Sequence, residues 1–168
     1  CIRYKDYNFL RSIIKFKFLY KKIEIIRLNL DSKNSYEEIS ISEKYKTPFT
    51  IIGIGSLIDL KRPSKFIDWV QLLTKEGIPV KAYWFGEGPL KEQMIRLTKS
   101  LNLEITWFGQ KSQEIIFSYL KKATFLMQTS KFEVYPTVIL ESMSFGTPIT
   151  SSDYWGVNEL IKDNENGL

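Results

Sequence analysis

The sequence predicts an α/β fold, a Rossmann-like doubly wound parallel sheet, and three observations carry that prediction. From Phe49 onward, short apolar runs alternate with longer segments whose apolar residues recur at helical spacing. The apolar runs are continuous, as expected of strands buried on both faces rather than one. The connections between the segments are short, so strand and helix follow each other as repeated units.

The elements follow in order. FTIIGIG (49–55) is an apolar run ending in glycines, a buried strand. SKFIDWVQLLTKEG (64–77) sets Phe66, Ile67, Trp69, Val70 and Leu73 on one helical face and stops at Gly77. VKAYWFG (80–86) is the second strand, and PLKEQMIRLTKSLN (89–102) the second helix, with Pro89 suited to its first turn. EITWFG (104–109) precedes SQEIIFSYLKKA (112–123), for which Ser112 is the expected N-cap. TFLMQTS (124–130), PTVILESMSFG (136–146) and TPITSS (147–152) are strand, helix and strand, and a last helix begins at GVNEL (156–160).

Ahead of this unit the chain has a different character. Residues 1–27 hold eight Lys or Arg against Asp6 and Glu24, a net charge of +6, which leaves −1 for the rest of a chain carrying +5. The basicity belongs to an arm and not to the domain, which argues against nucleic-acid binding. Residues 9–27 mix apolar residues with lysines. That pattern suits a basic helix on an anionic membrane surface, and equally a helix packed on its own protein with a solvated basic face. IEIIRLNL (23–30) reads as a strand and DSKNSYEEISISEKYKTP (31–48) as a polar linker. We therefore divide the chain into an arm and linker, residues 1–48, the remnant of a preceding domain, and a Rossmann-like domain, residues 49–168. The start, CIRYKDYNFL, has neither an initiator methionine nor a signal-peptide pattern, and the chain reads as a fragment.

Composition removes several chemistries. With no histidine and one cysteine, Cys1, a Ser-His-Asp triad, a histidine metal site and a thiolate zinc site are all excluded. Acid–base work falls to carboxylates, lysine, tyrosine or the substrate. No metal site is expected, and no apolar stretch approaches the roughly 18 residues of a membrane-spanning helix.

Ligands of doubly wound sheets bind beyond the carboxyl ends of the strands. The first such loop, GIGSLIDLKRPS, offers Gly53, Gly55, Ser56, Lys61 and Arg62: close backbone approach and cations for phosphate oxygens. It is neither a P-loop nor GxGxxG. FGEGPL, with Gly86, and WFGQKS, with Gly109, are glycine turns that leave room for a neighbouring loop or a flat nucleobase. In SKFEVYPTVILES, Pro136 fits a helix's first turn, so the amides of Thr137, Val138 and Ile139 would attract an anion such as a diphosphate. Glu133 precedes that helix and Glu141 lies about one and a half turns inside it. A carboxylate there can accept hydrogen bonds from paired hydroxyls. Read singly, Glu133 is also a favourable charge at a helix start and Glu141 an exposed helix residue.

The E-x7-E spacing followed by SMSFGTPITSSDYWGVNELIKDNENGL resembles the donor-binding, C-terminal domain of the retaining glycosyltransferases of the GT-B fold, the "glycosyl transferases group 1" family. The resemblance spans about residues 49–168, with a weaker echo in IEIIRLNLD. It implies a catalytic role for Glu133, beside the transferred sugar, and a ribose contact for Glu141. It implies Lys61 on the diphosphate, while Ser56 stands where an arginine is usual, leaving Arg62 or another cation to substitute. Val134 and Tyr135 replace smaller residues. Ser56, Lys61, Arg62, Gly86, Gly109, Pro136, Thr137, Val138 and Glu141 then form the donor site. The implied substrate is a nucleotide-diphosphate sugar, with no metal and no other cofactor. The implied acceptor is a glycan or a lipid-linked acceptor, and the implied location the cytoplasm or the cytoplasmic membrane surface. The domain lacks the family's closing helices, so weak nucleotide binding and no turnover are expected of the fragment alone. A nucleotide-sugar epimerase or phosphorylase of the same architecture, and a non-catalytic nucleotide-binding module, are the alternatives.

Overall fold

The computed structural model describes residues 48–134, 136–154 and 157–162. The readings made for the basic arm, including the membrane surface at 9–27, the strand at 23–30 and most of the linker, lie outside these residues, as does Tyr135. Five strands are present: β1 (Phe49–Ile54), β2 (Val80–Phe85), β3 (Ile105–Gly109), β4 (Phe125–Gln128) and β5 (Ile149–Ser151). Between and after them lie α1 (Pro63–Lys75), α2 (Lys91–Ser100), α3 (Gln113–Lys122), α4 (Thr137–Ser144) and α5 (Val157–Leu160). Each unit expected from Phe49 onward is found, its ends shifted by at most two residues, mostly inward. A short 3-10 turn at Asp59–Lys61, within the first loop, was not anticipated.

The strands pair in the order β3-β2-β1-β4-β5, and every pair is parallel. The chain therefore builds outward from β1 in one direction and then returns to build in the other. The two directions part between β1 and β4, so α1 and α4 lie on opposite faces of the sheet, the switch point at which doubly wound sheets hold a crevice.

Alternation along the strands splits the core in two. Ile51, Ala82, Trp84, Phe125 and Met127 face one side with Phe66, Ile67, Val70 and Leu73 of α1 and Met94 of α2. Ile52, Phe85 and Leu126 face the other, with Leu120 of α3, Ile139 of α4 and Val157 of α5. Burial on both faces explains why the strands read as unbroken apolar runs. Aromatic packing adds to the first half. Phe66 meets Trp84 edge-on at 5.2 Å, and a side chain at Gly53 would collide with the Trp84 ring. Gly53 is thus required by packing rather than by a ligand.

Candidate functional site

The crevice between β1 and β4 collects the polar residues of the first and fourth loops. After β1 the chain makes its 3-10 turn, which delivers Lys61 and then Arg62 in the left-handed conformation (φ 47°, ψ 55°). Pro63 opens α1 immediately afterwards, its fixed φ suited to a first turn. Gln128, the last residue of β4, and Thr129 and Ser130 after it are all buried, unusual for polar residues in sequence, and the chain then turns out to Glu133.

Glu133 is the centre of this arrangement. Its Oε1 accepts from Lys61 Nζ at 2.5 Å, Ser130 Oγ at 2.5 Å and Gln128 Nε2 at 2.9 Å. The Lys61 and Glu133 side chains are only 22% and 12% exposed, so their attraction is less screened than that of a surface pair. All three donors reach the same oxygen. Among the described residues no hydrogen bond reaches Oε2, which leaves one acceptor oxygen unused there. Charge, a fixed orientation and a spare acceptor make Glu133 suited to gripping a polar ligand at the mouth of the crevice.

The two loops are also tied together by their backbones. Thr129 Oγ1 donates to Lys61 O at 2.7 Å, and Lys131 N to Leu60 O at 2.8 Å. Arg62, expected among the donor's cations, has its guanidinium turned into the protein. Nε donates to Thr129 O at 2.6 Å and Nη2 to Ser130 O at 3.1 Å. From the far side, Ser152 after β5 donates its hydroxyl to Ser130 O at 3.0 Å and Gln128 O at 3.1 Å.

Glu141, the fifth residue of α4, lies half-buried and meets Gln113 Nε2, at the start of α3, at 3.4 Å. Burial raises its pKa above the ordinary 4.5, and the Gln113 hydrogen bond offsets part of the rise. The contact joins the third loop's helix to the fourth loop's helix. Nothing in the sequence spacing pointed to Gln113.

The helix start departs in detail from expectation. Pro136 is the N-cap (φ −81°, ψ 78°) rather than a residue of the first turn, and its carbonyl accepts from Ile139 N at 3.0 Å. Ile139 is thereby removed from the amides expected to meet an anion, which leaves those of Thr137 and Val138. Its side chain serves the core instead, fully buried.

The glycine turns pack loop on loop. A Cβ at Gly86 (φ 137°) would lie 2.1 Å from Gly55 O, so the second loop presses on the first. Gly86 N also donates to Gly109 O at 2.9 Å. Gly109 (φ 74°) is covered by the Glu87 carboxylate, which pairs with Lys91 at 2.6 Å. Ser56 is exposed at the mouth of the first loop. No group of three metal-ligating side chains occurs among the described residues, and no helix there is long and apolar enough to cross a membrane.

Comparison with known proteins gives the family and the fold. Residues 34–168 match the family described as "Glycosyl transferases group 1". Over 155 residues the chain is 31% identical to a Campylobacter jejuni protein named "GalNAc-alpha-(1->4)-GalNAc-alpha-(1->3)-diNAcBac-PP-undecaprenol alpha-1,4-N-acetyl-D-galactosaminyltransferase", covering 90% of this chain and 43% of the relative. It is 28% identical to the lipopolysaccharide 1,6-galactosyltransferase of Salmonella typhimurium, covering 99% and 48% respectively. The chain thus spans under half the length of these relatives. Among solved structures it resembles the apo lipopolysaccharide outer core galactosyltransferase WaaB (TM-score 0.66, 27% identity, covering 74% of this chain and 36% of that one). It also resembles a Staphylococcus aureus TarM mutant in complex with Fondaparinux, alpha-GlcNAc-glycerol and UDP (TM-score 0.65, 26% identity, 73% and 26%).

Proposed function

Because the chain belongs to the glycosyl transferases group 1 family, we propose that it is the donor-binding part of a retaining glycosyltransferase that moves a sugar from a nucleotide-diphosphate sugar to a glycan or lipid-linked glycan. The observation that carries this reading is the Lys61–Glu133 contact across the point where the β1 and β4 loops diverge. It sets a cation and a carboxylate side by side where a donor's diphosphate and sugar meet.

In this reading Lys61 and the Thr137 and Val138 amides hold the diphosphate and stabilise the charge that grows on it as the sugar departs. Such preorganised stabilisation supplies about 3–4 kcal/mol per donor in well-studied enzymes. The bond from the anomeric carbon to the diphosphate oxygen breaks, and one to the acceptor oxygen forms. The acceptor's proton goes to a phosphate oxygen of the leaving group, a route suited to a chain without histidine. Glu133, held through Oε1, offers Oε2 to the sugar near the reacting carbon. Glu141 accepts from the ribose hydroxyls, and the turn at Gly109 faces the base.

UDP is the nucleotide to test first, since a similar solved structure contains it. The undecaprenol-linked acceptor in the Campylobacter name supports a lipid-linked acceptor, and with it work at a membrane surface. The alpha linkage in that name fits retention. Residues 49–168 would be the nucleotide-sugar unit, with the preceding domain supplying most of the acceptor site.

Calorimetric titration with UDP tests the reading. Lys61→Ala and Glu141→Ala should each weaken binding about tenfold or more, and Glu133→Ala in the full-length protein should abolish transfer. Unchanged UDP affinity in both binding variants would remove the donor site from this crevice.

A further inference from the structure

Arg62 lies beside Lys61, yet its guanidinium reaches away from the open crevice and into the buried end of β4. We propose that Arg62 is a positioning residue that fixes Glu133 relative to Lys61 by clamping the β4 loop, and is not itself a ligand of the donor; the proposal rests on the donor-site reading above.

The clamp has two prongs. Nε and Nη2 of one planar fork donate to successive carbonyls, Thr129 O at 2.6 Å and Ser130 O at 3.1 Å. Those residues are 4% and 1% exposed. Without Arg62, Thr129 O loses its charged donor, and Ser130 O keeps only Ser152 Oγ at 3.0 Å. Lysine offers a point charge on a flexible stem and cannot reproduce the fork.

From the clamped carbonyls the path to the reacting region is short. The hydroxyl of Ser130, whose carbonyl Arg62 holds, donates to Glu133 Oε1, and so does the side chain of Gln128 two residues earlier. On the other side, Arg62 follows directly on Lys61, whose carbonyl accepts from Thr129 Oγ1. Arg62 therefore adds the charged tie, beside the Thr129–Lys61 and Lys131–Leu60 hydrogen bonds, that fixes the separation of the two loops on which the ion pair depends. The backbone agrees. Arg62 ends the 3-10 turn and caps α1 in the left-handed region, where a residue with a Cβ is uncommon, and it is held there by its contacts. A freely reaching phosphate ligand would need none of this.

The experiment uses the full-length protein with Arg62→Lys and Arg62→Gly, the second of which suits the left-handed backbone while removing the fork. UDP affinity is measured by calorimetry, transfer by turnover with the UDP-sugar the wild type accepts, and folding by thermal denaturation. A positioning role predicts UDP affinity within threefold of wild type in both folded variants and kcat at least tenfold lower, a split that general loss of structure would not give. UDP affinity weakened tenfold by Gly but retained by Lys would make Arg62 a charge ligand and overturn the proposal. So would a kcat less than tenfold reduced. Failure of both variants to fold would assign the residue to stability alone and likewise overturn it. Lys61→Ala and Glu141→Ala run alongside. If they leave UDP binding intact, the donor-site reading falls first, and the two failures are told apart.

Discussion

At the scale of single residues, the Lys61–Glu133 ion pair implies a competition if the proposed donor site is right. Lys61 would not serve a diphosphate fully while Glu133 holds it at 2.5 Å. Binding of a nucleotide must loosen that contact, at a cost of about 1 kcal/mol for a partly screened pair. Glu133→Gln keeps an acceptor for Ser130 but removes the charge. We expect it to bind UDP about fivefold more tightly while transfer falls by at least a hundredfold. Calorimetry at low salt reads the first effect, and weaker UDP binding would contradict the competition. Glu141 gives a second residue-scale prediction. Burial raises its pKa, so the folded state holds a proton that the unfolded state has released between the ordinary value of 4.5 and the raised one. Across that window stability falls as pH rises. Glu141→Gln has no such proton, so scanning calorimetry from about pH 4 to pH 8 should show its advantage over wild type growing with pH and then levelling. The same variant should bind UDP more weakly, because an amide is a poorer acceptor for two ribose hydroxyls.

At the scale of elements, the loops behave as one packed layer. The second loop touches the first at Gly86, with no room for a Cβ against Gly55 O. Gly86→Ala should push the first loop, and Lys61 with it, out of register. We expect about 2–3 kcal/mol of lost stability, from strain at positive φ together with overpacking, and weaker UDP binding. A variant with unaltered denaturation and unaltered UDP affinity would show that the contact is slack. This layer was the part least legible in the sequence. Strands and helices were readable because FTIIGIG or SKFIDWVQLL carry their burial in composition and spacing. Lys61 and Glu133 were readable as chemistry, but the sequence could not show that they touch, since 72 residues separate them. Arg62 looked like a spare cation because charge is visible in a sequence and direction is not. Gln113 carried no signal at all. The QTS that ends β4 did carry one: three polar residues closing an apolar strand, all buried in the structure. A polar run inside an apolar context implies partners, and Glu133 and Arg62 are among them. Pro136 was placed one position too far into its helix, within the usual uncertainty of helix ends.

At the scale of the whole molecule, two half-cores meet back to back on one sheet, and the crevice lies at the end of the seam between β1 and β4. The pairing of these strands, through Ile51 with Phe125 and Ile52 with Leu126, is therefore the support of the site as well as of the fold. This separates what a core mutation and a site mutation should do. Leu126 is fully buried among Ile52, Phe85, Leu120 and Ile149, so Leu126→Ala should cost about 2–5 kcal/mol. Its side chain lies in the core, whereas the hydrogen bonds that hold Glu133 begin at Gln128 and run through loop carbonyls. The loss should leave the crevice intact below the melting temperature. In the proposed donor site UDP would bind only the folded state, so at a hundredfold excess over its Kd it should add about 2.7 kcal/mol to unfolding free energy. That increment should be the same in wild type and Leu126→Ala, each tested at its own hundredfold excess, while the two unfolding curves stay displaced from each other. In Lys61→Ala the order reverses: the ligand-free curve should move little, and the increment at the wild-type UDP concentration should fall by about half or more. Denaturation of the three proteins with and without UDP measures all of these quantities together. A shrunken increment in Leu126→Ala at unchanged excess would mean that UDP binding is coupled to folding of the β4 half-core, and the separation of core from site would fail.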